Sequence, residues 1–424
     1  MRHIKKLLLK IYMFMTSGVA AKYLISALMC MCLFVILSVF RLVDYLEVIN
    51  ILIGFLLGQI VVGLMNVIGS KFEDITKVTE DTNKLLTIYT LKKYDKKVKK
   101  NGSVCSVCYN EVFVPNKNSP EELHVDDIPE NVFNVDDFFM NNYTQLFQAH
   151  EHSTKKNFVT ARLDAFTKEQ DGWHFKIGRS TYYHHLITNR AADFRLADDF
   201  SVREMFEFGP KITPLEESKM SNHIGINALV YLEDGALLIP KRKRDSTFSK
   251  NKITSSIAVM LNIPKDGKID KDYLIDGGLI KKELVGRTKI PQEVVDKLDV
   301  TVNFIGFGQN IYEVGKPQFY YEVYLKGLDK KGYENCTTLK EKTVGIKLDR
   351  DEIIYMIDPN TIKFFGDGDI KFNYYTHRDI KKNKKTASKQ RHLTYEKSFA
   401  CNIWHEQMYN SPDKYEEYLR EIAE

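Results

Sequence analysis

Ile224-Gly225-Ile226-Asn227-Ala228-Leu229-Val230-Tyr231-Leu232, followed by Glu233-Asp234-Gly235 and Ala236-Leu237-Leu238-Ile239-Pro240, is the stretch on which the fold turns. One apolar, β-branched run stops at an Asp-Gly pair and is answered by a second, the pattern of a β-hairpin. Upstream, Trp173-His174-Phe175-Lys176-Ile177 reads as a strand that turns into a helix near Tyr182-Tyr183. Downstream, the spacing predicts a helix over Leu274–Leu284 and strands at Val300–Gly306 and Gln318–Leu325. From about Asn141 onward the pattern is α+β.

The front of the chain has a different texture. Tyr23–Phe40 and Val48–Ser70 are uncharged apolar runs separated by seven residues. A bilayer core takes roughly 20 apolar residues of helix, so these runs predict a transmembrane hairpin within residues 1–70, with helices over about 20–43 and 48–70. Lys and Arg gather before the first run and after the second, which puts both termini in the cytoplasm of a multi-pass inner-membrane protein. A cleaved signal peptide competes with this, but Lys10 interrupts the early apolar stretch. Gly54 and Gly58 form a small-xxx-small pair, and Gln59, Gly63 and Asn66 share one helix face. They are candidates for helix association in the membrane, with ordinary packing of the two helices as the alternative.

Apolar residues at three- and four-residue steps from Phe72 to Tyr89 predict an amphipathic helical stalk over 71–100, ended by Asn101-Gly102-Ser103. A loop-rich extension over 101–180 follows, then the main domain over 181–385 and a helical segment over 386–424. The 424 residues carry a formal charge of +5, and Lys-rich stretches beside the predicted membrane helices suit a lipid bilayer. No motif reads a nucleic-acid polymer. Six scattered cysteines suit a reducing compartment. Cys105 and Cys108 are half of a zinc site without a second pair, so neither a metal nor any other cofactor is expected.

The order of hairpin, basic strand end, loop, helix and two further strands resembles the Nudix fold between about Thr181 and Phe372, and implies an α/β/α sandwich. The carrying residues are Asn222–Val230, Asp234–Ile239, Lys241-Arg242-Lys243-Arg244, Thr254-Ser255-Ser256, Gly306–Asn310 and Lys316–Tyr321. Active members carry an Arg-Glu-apolar-x-Glu-Glu-x-Gly-apolar segment whose glutamates hold a divalent metal against a pyrophosphate. Here that segment is Lys282-Glu283-Leu284-Val285-Gly286-Arg287-Thr288-Lys289-Ile290, so Gly286 and Arg287 stand in place of two metal-binding glutamates. Mg²⁺ wants hard oxygen ligands, whereas Arg contacts phosphate without a metal. The segment therefore points to binding without hydrolysis.

A membrane hairpin joined to such a domain resembles the transmembrane Nudix-like effectors of cyclic-oligonucleotide-based antiphage signalling (CBASS). That resemblance implies a non-enzymatic role in bacterial defence. A partner nucleotidyltransferase makes a cyclic nucleotide, the domain binds it, and the hairpins assemble into a homo-oligomer that breaches the inner membrane. The alternative is a membrane-tethered hydrolase of nucleoside diphosphate derivatives. Ligand-binding candidates are Arg242, Arg244, Thr254, Ser255, Ser256, Lys282, Glu283, Arg287 and Tyr320. Phe319 shares its strand with Tyr320 on the opposite face, so either could stack on a base. Tyr182 and Tyr183 offer a similar choice. His184-His185 lacks the partners of a catalytic triad.

Overall fold

A computed structural model describes residues 78–423 except 149, 151–155, 197–199, 243–250, 338–345, 349–351 and 367. Its strands are β1 (Asp95–Lys100), β2 (Ser103–Phe113), β3 (Leu123–Val132), β4 (Val159–Lys168), β5 (Trp173–Thr181), β6 (Gly225–Leu232), β7 (Leu237–Lys241) and β8 (Ile257–Met260). They continue with β9 (Asp299–Asn310), β10 (Lys316–Lys326), β11 (Ile346–Leu348), β12 (Glu352–Ile357), β13 (Lys363–Phe365), β14 (Asp369–Tyr374) and β15 (Lys389–Thr394). The helices that matter below are α1 (Thr82–Ile88), α2 (Tyr182–Ile187), α3 (Gly278–Thr288), α4 (Lys397–Tyr409) and α5 (Pro412–Ala423).

The Ile224–Pro240 stretch does form the predicted hairpin, β6–β7, at the centre of the molecule. Every position of β6 is buried, as expected for a strand covered on both faces. β10 pairs with it in parallel, and β9 pairs antiparallel with β10. The sheet runs β1-β2-β9-β10-β6-β7-β12-β14-β13, with β8, β11 and β15 paired to β6, β12 and β14. On one face, Ile226, Ala228 and Val230 pack with Leu279, Ile280 and Leu284 of α3. On the other, Leu229 and Tyr231 pack with Phe399, Ile403 and Trp404 of α4. A separate sheet, β3-β5-β4, adds Phe175 and Ile177 to the first core.

The predicted fold class needs correction. This is a mixed α/β structure whose twelve-stranded sheet curls into a nearly closed barrel, rather than a transmembrane hairpin, a stalk and an α/β/α sandwich. The strands flanking the predicted domain extend the sheet at both ends, and a twisted sheet of this width curls. Residues 95–100, expected in the stalk, are a strand. Asn101 and Gly102 both have positive φ and turn β1 into β2, so Lys100 faces Ser103. That is the hairpin chemistry of an Asn-Gly pair, and it replaces the helix end predicted there.

The membrane assignments are corrected as well. Among the described residues no helix is long and apolar enough to cross a membrane. Even α4 has only 13 residues, about 20 Å at 1.5 Å per residue, against a hydrocarbon core of about 30 Å. The multi-pass, inner-membrane and membrane-disruption assignments are therefore withdrawn. The two apolar runs, and with them Gly54, Gly58, Gln59, Gly63 and Asn66, lie outside the described residues.

Cys105 and Cys108 are both buried on β2, three residues apart. An odd spacing on a strand sends side chains to opposite faces. Cys105 accordingly packs with the α4 core and Cys108 with Leu85 and Tyr89 beside α1. They do not form half of a zinc site.

Candidate functional site: a lysine- and aromatic-lined cleft

The predicted site residues are not gathered at one surface. Thr254, Ser255 and Ser256 are buried. Ser256 Oγ accepts from Val230 N at 2.9 Å and donates to Leu238 O, tying β8 to the central hairpin. Ser255 Oγ accepts from Asn402 Nδ2 at 3.1 Å, while Thr254 Oγ1 donates to Ser255 O. Phe319 and Tyr320 are fully buried on opposite faces; Tyr320 stacks on His405 at 4.6 Å. Neither ring is available to a base. His185 stacks on buried His223 at 3.9 Å, and burial pushes both imidazoles well below their usual range. Tyr182 stacks on Phe158, and Tyr183 lies against Phe147. Arg242 is half-buried at the end of β7, and Arg244 lies outside the described residues.

Lys282, Glu283 and Arg287 do share one helix. α3 buries Leu279, Ile280, Leu284 and Thr288 and turns Lys281, Lys282, Gly286 and Arg287 to solvent. Arg287 Nε sits 3.3 Å from Glu283 Oε2, one turn back. Lys289 caps the helix at φ +62°, the left-handed conformation that glycine adopts most easily. Arg287 is thus paired along its own helix, while Lys282 lines an open hollow of about 470 Å³ with Gln292, Asp296 and Val300.

A larger concave surface lies on the opposite face of the sheet. A cleft of about 1020 Å³ lies among α1 and the loop after it, β1, the β6–β10 pair, Pro359-Asn360, α4 and α5. Lys92, Lys97, Lys99, Lys100 and Lys414 line it with Tyr89, Tyr231, Tyr324, Trp404 and Tyr418. Alternate residues of β1 take opposite faces: Lys96 and Val98 point inward toward α4 and are buried, while Lys97 and Lys99 turn to solvent at the rim, Lys99 offering its backbone carbonyl to Gln407 Nε2.

Polar side chains hold the walls. Tyr231 and Tyr324, opposed across the parallel pair, stack with centroids 5.4 Å apart. Tyr231 OH donates to Glu406, whose carboxyl is raised above its usual range by burial. Tyr324 OH and Asn410 Nδ2 both donate to the buried Glu322 Oε2, at 3.3 and 2.8 Å. Behind β1, Lys96 is 1% exposed and lies 3.4 Å from Glu111 Oε2, with its ammonium 4.9 Å from the Trp404 ring and 4.4 Å from the Tyr418 ring. Burial pulls the Lys96 amine down to about 8, against the opposing pull of Glu111. Glu111 also accepts from Tyr415 OH, so Lys96 and Glu111 lock α5 onto the sheet.

Some of the cleft's lysines are internally compensated: Lys97 pairs with Asp95 at 2.7 Å, and Lys100 approaches Glu406 at 3.7 Å. Lys99 and Lys414 have no salt-bridge partner among the described residues. With Gln407 and Asn360 also in the lining, and Asp95, Glu406, Glu417 and Glu421 beside the lysines, the cleft offers both signs of charge, amide groups and aromatic faces together. Its ammonium groups are of the kind that contact phosphate, and its rings of the kind that stack on planar groups. Reading the sequence for helix missed these residues. The available signal was Asn101-Gly102, which marks 96–100 as one arm of a hairpin with alternating faces.

No protein-family model matches this chain, and comparison with curated proteins finds no match, so the sequence and the geometry above carry the functional argument.

Proposed function

We propose that this protein binds a phosphorylated nucleotide in the cleft between β1, α4 and α5, and does not hydrolyse it. The observation that carries the reading is the presence in one cleft of Lys414, which has no salt-bridge partner among the described residues, with Lys100, Trp404, Tyr418 and Gln407. Lysines answer phosphate charge as point donors, and aromatic faces stack on bases. The volume lies at the upper end of the range for small-molecule sites, which favours a ligand larger than a mononucleotide. That the ligand is bound and not hydrolysed is what the resemblance implies, since Gly286 and Arg287 stand where active members carry metal-binding glutamates. Within the resemblance to Nudix-like antiphage effectors, the ligand is a cyclic nucleotide made by a partner nucleotidyltransferase during infection.

The test is calorimetric titration of the full-length protein with cyclic dinucleotides and cyclic trinucleotides. One of them is expected to saturate a single site per chain. The Lys414→Glu variant should weaken that binding by at least about tenfold, roughly 1.4 kcal/mol, with its thermal transition unchanged. No binding by any member of the panel, or undiminished binding by that variant, overturns the assignment. Release of a nucleotide product in the presence of Mg²⁺ would replace it with a hydrolase.

A further inference from the structure

We propose that His124, Asp171 and His174 form a binding site for a divalent transition-metal ion, with Zn²⁺ the best fit, independent of the nucleotide reading. β3 and β5 run parallel, and their register sets His124 directly beside His174. The two rings therefore lie on one face and stack with centroids 4.5 Å apart. Asp171 lies in the β4–β5 connection, three residues before His174. Its Oδ1 lies 3.0 Å from His174 Nε2 and its Oδ2 lies 3.8 Å from His124 Nε2. One donor atom from each residue falls within 4.8 Å of the other two. A tetrahedral ion with bonds of about 2.0 Å holds its donors about 3.3 Å apart, so small side-chain rotations complete the arrangement.

Two further features separate this cluster from a chance ion pair. His174 Nδ1 lies 2.9 Å from Asp126 Oδ2. With the proton on Nδ1 facing Asp126, the Nε2 lone pair faces the other two ligands, the usual carboxylate–histidine support behind a metal. The turn is also built for close approach. Gly172 has φ +147°, and a Cβ there would lie 2.5 Å from Glu122 O. Trp173 N donates to that carbonyl at 2.9 Å, which fixes Asp171 against β3. His174 is mostly buried while Asp171 is largely exposed, so three protein ligands leave an outward position for water or an exogenous ligand. Imidazole and carboxylate donors suit Zn²⁺ and neighbouring first-row ions, and do not favour Ca²⁺ or Mg²⁺.

Metal-free full-length protein is titrated with Zn²⁺ by competition against a chromophoric chelator, and with Co²⁺ by its visible d–d absorption. One equivalent of each is expected to bind, and Co²⁺ should give bands of low-coordinate intensity. His124→Ala and His174→Ala should each weaken Zn²⁺ binding at least about 100-fold. Asp126→Asn, which removes only the support, should weaken it about 10–100-fold and keep the Co²⁺ bands. His124→Asn serves as the test variant if the alanine proteins fail to fold. Zn²⁺ affinity in the wild type equal to that of the His124→Asn and Asp126→Asn proteins would overturn the proposal and leave His174 as a histidine bridging two carboxylates.

Discussion

The two faces of the central sheet are built on different principles. Beneath α3, the contact is apolar, made by Leu279, Ile280 and Leu284 against β6 and β10, and the charged side chains all turn outward. Beneath α4 and α5, charged and hydroxyl groups are buried with the apolar ones: Lys96 with Glu111, Tyr231 with Glu406, and Glu322 with Asn410. Buried polar groups are costly unless each finds a partner. A face that retains several of them in matched pairs beside a large cleft is therefore the better place to look for recognition. The signature-like helix marks the opposite side of the sheet.

That contrast can be broken most forcefully at Glu111. Glu111→Ala leaves Lys96 buried without its carboxylate, and removing one partner of a buried pair costs about 3–5 kcal/mol. Urea unfolding should register a loss of that order; a loss below about 1 kcal/mol would mean that the pair does not hold α5. A smaller effect is expected from pH. The Lys96 amine is held at about 8 in the folded protein, below its ordinary 10.5, so the unfolded chain binds more protons between those values. Stability attributable to this group is lowest below about pH 8 and rises with pH up to about 10.5. Lys96→Met should flatten the profile in that window, and an unchanged slope would assign it to other groups. The smallest effect belongs to the α3 face. Arg287→Ala removes an exposed i,i+4 pair and should cost no more than about 0.5 kcal/mol, with nucleotide binding unchanged. Loss of binding in that variant would move the site to α3 and reverse the comparison.

Much of the central fold was legible. β5 leading into α2, the β6–β7 hairpin, α3, β9 and β10 all overlap the predicted stretches, because each has a clear period, although α3 is shifted four residues toward the C-terminus and β9 and β10 run longer than predicted. The first strands were illegible for a specific reason. Lys96-Lys97-Val98-Lys99-Lys100 has little apolar content, and its inward lysine is paid for by a carboxylate fifteen residues away on the neighbouring strand. Period-based reading has no access to such a long-range pair, so it took the segment as a continuation of a charged helix. Thr254-Ser255-Ser256 failed in the opposite direction. Small hydroxyl residues look like ligand donors in sequence, whereas here their hydrogen bonds go to the β6–β7 backbone, a neighbouring carbonyl and Asn402. The paired histidines of β3 and β5 were also out of reach, since only strand register brings His124 beside His174.

The division of Cys105 and Cys108 between two cores makes this protein its own unfolding clock. Both thiols are buried, as is Cys401, and burial pushes the Cys108 thiol up to about 12, where it scarcely ionises near neutral pH. An alkylating reagent reacts with thiolate. Modification of Cys105 therefore times the opening of the α4 face, and modification of Cys108 times the release of α1 from β2. Two positions three residues apart on one strand report separately on two sides of the molecule, so mass-resolved labelling would show whether those sides come apart together or in turn.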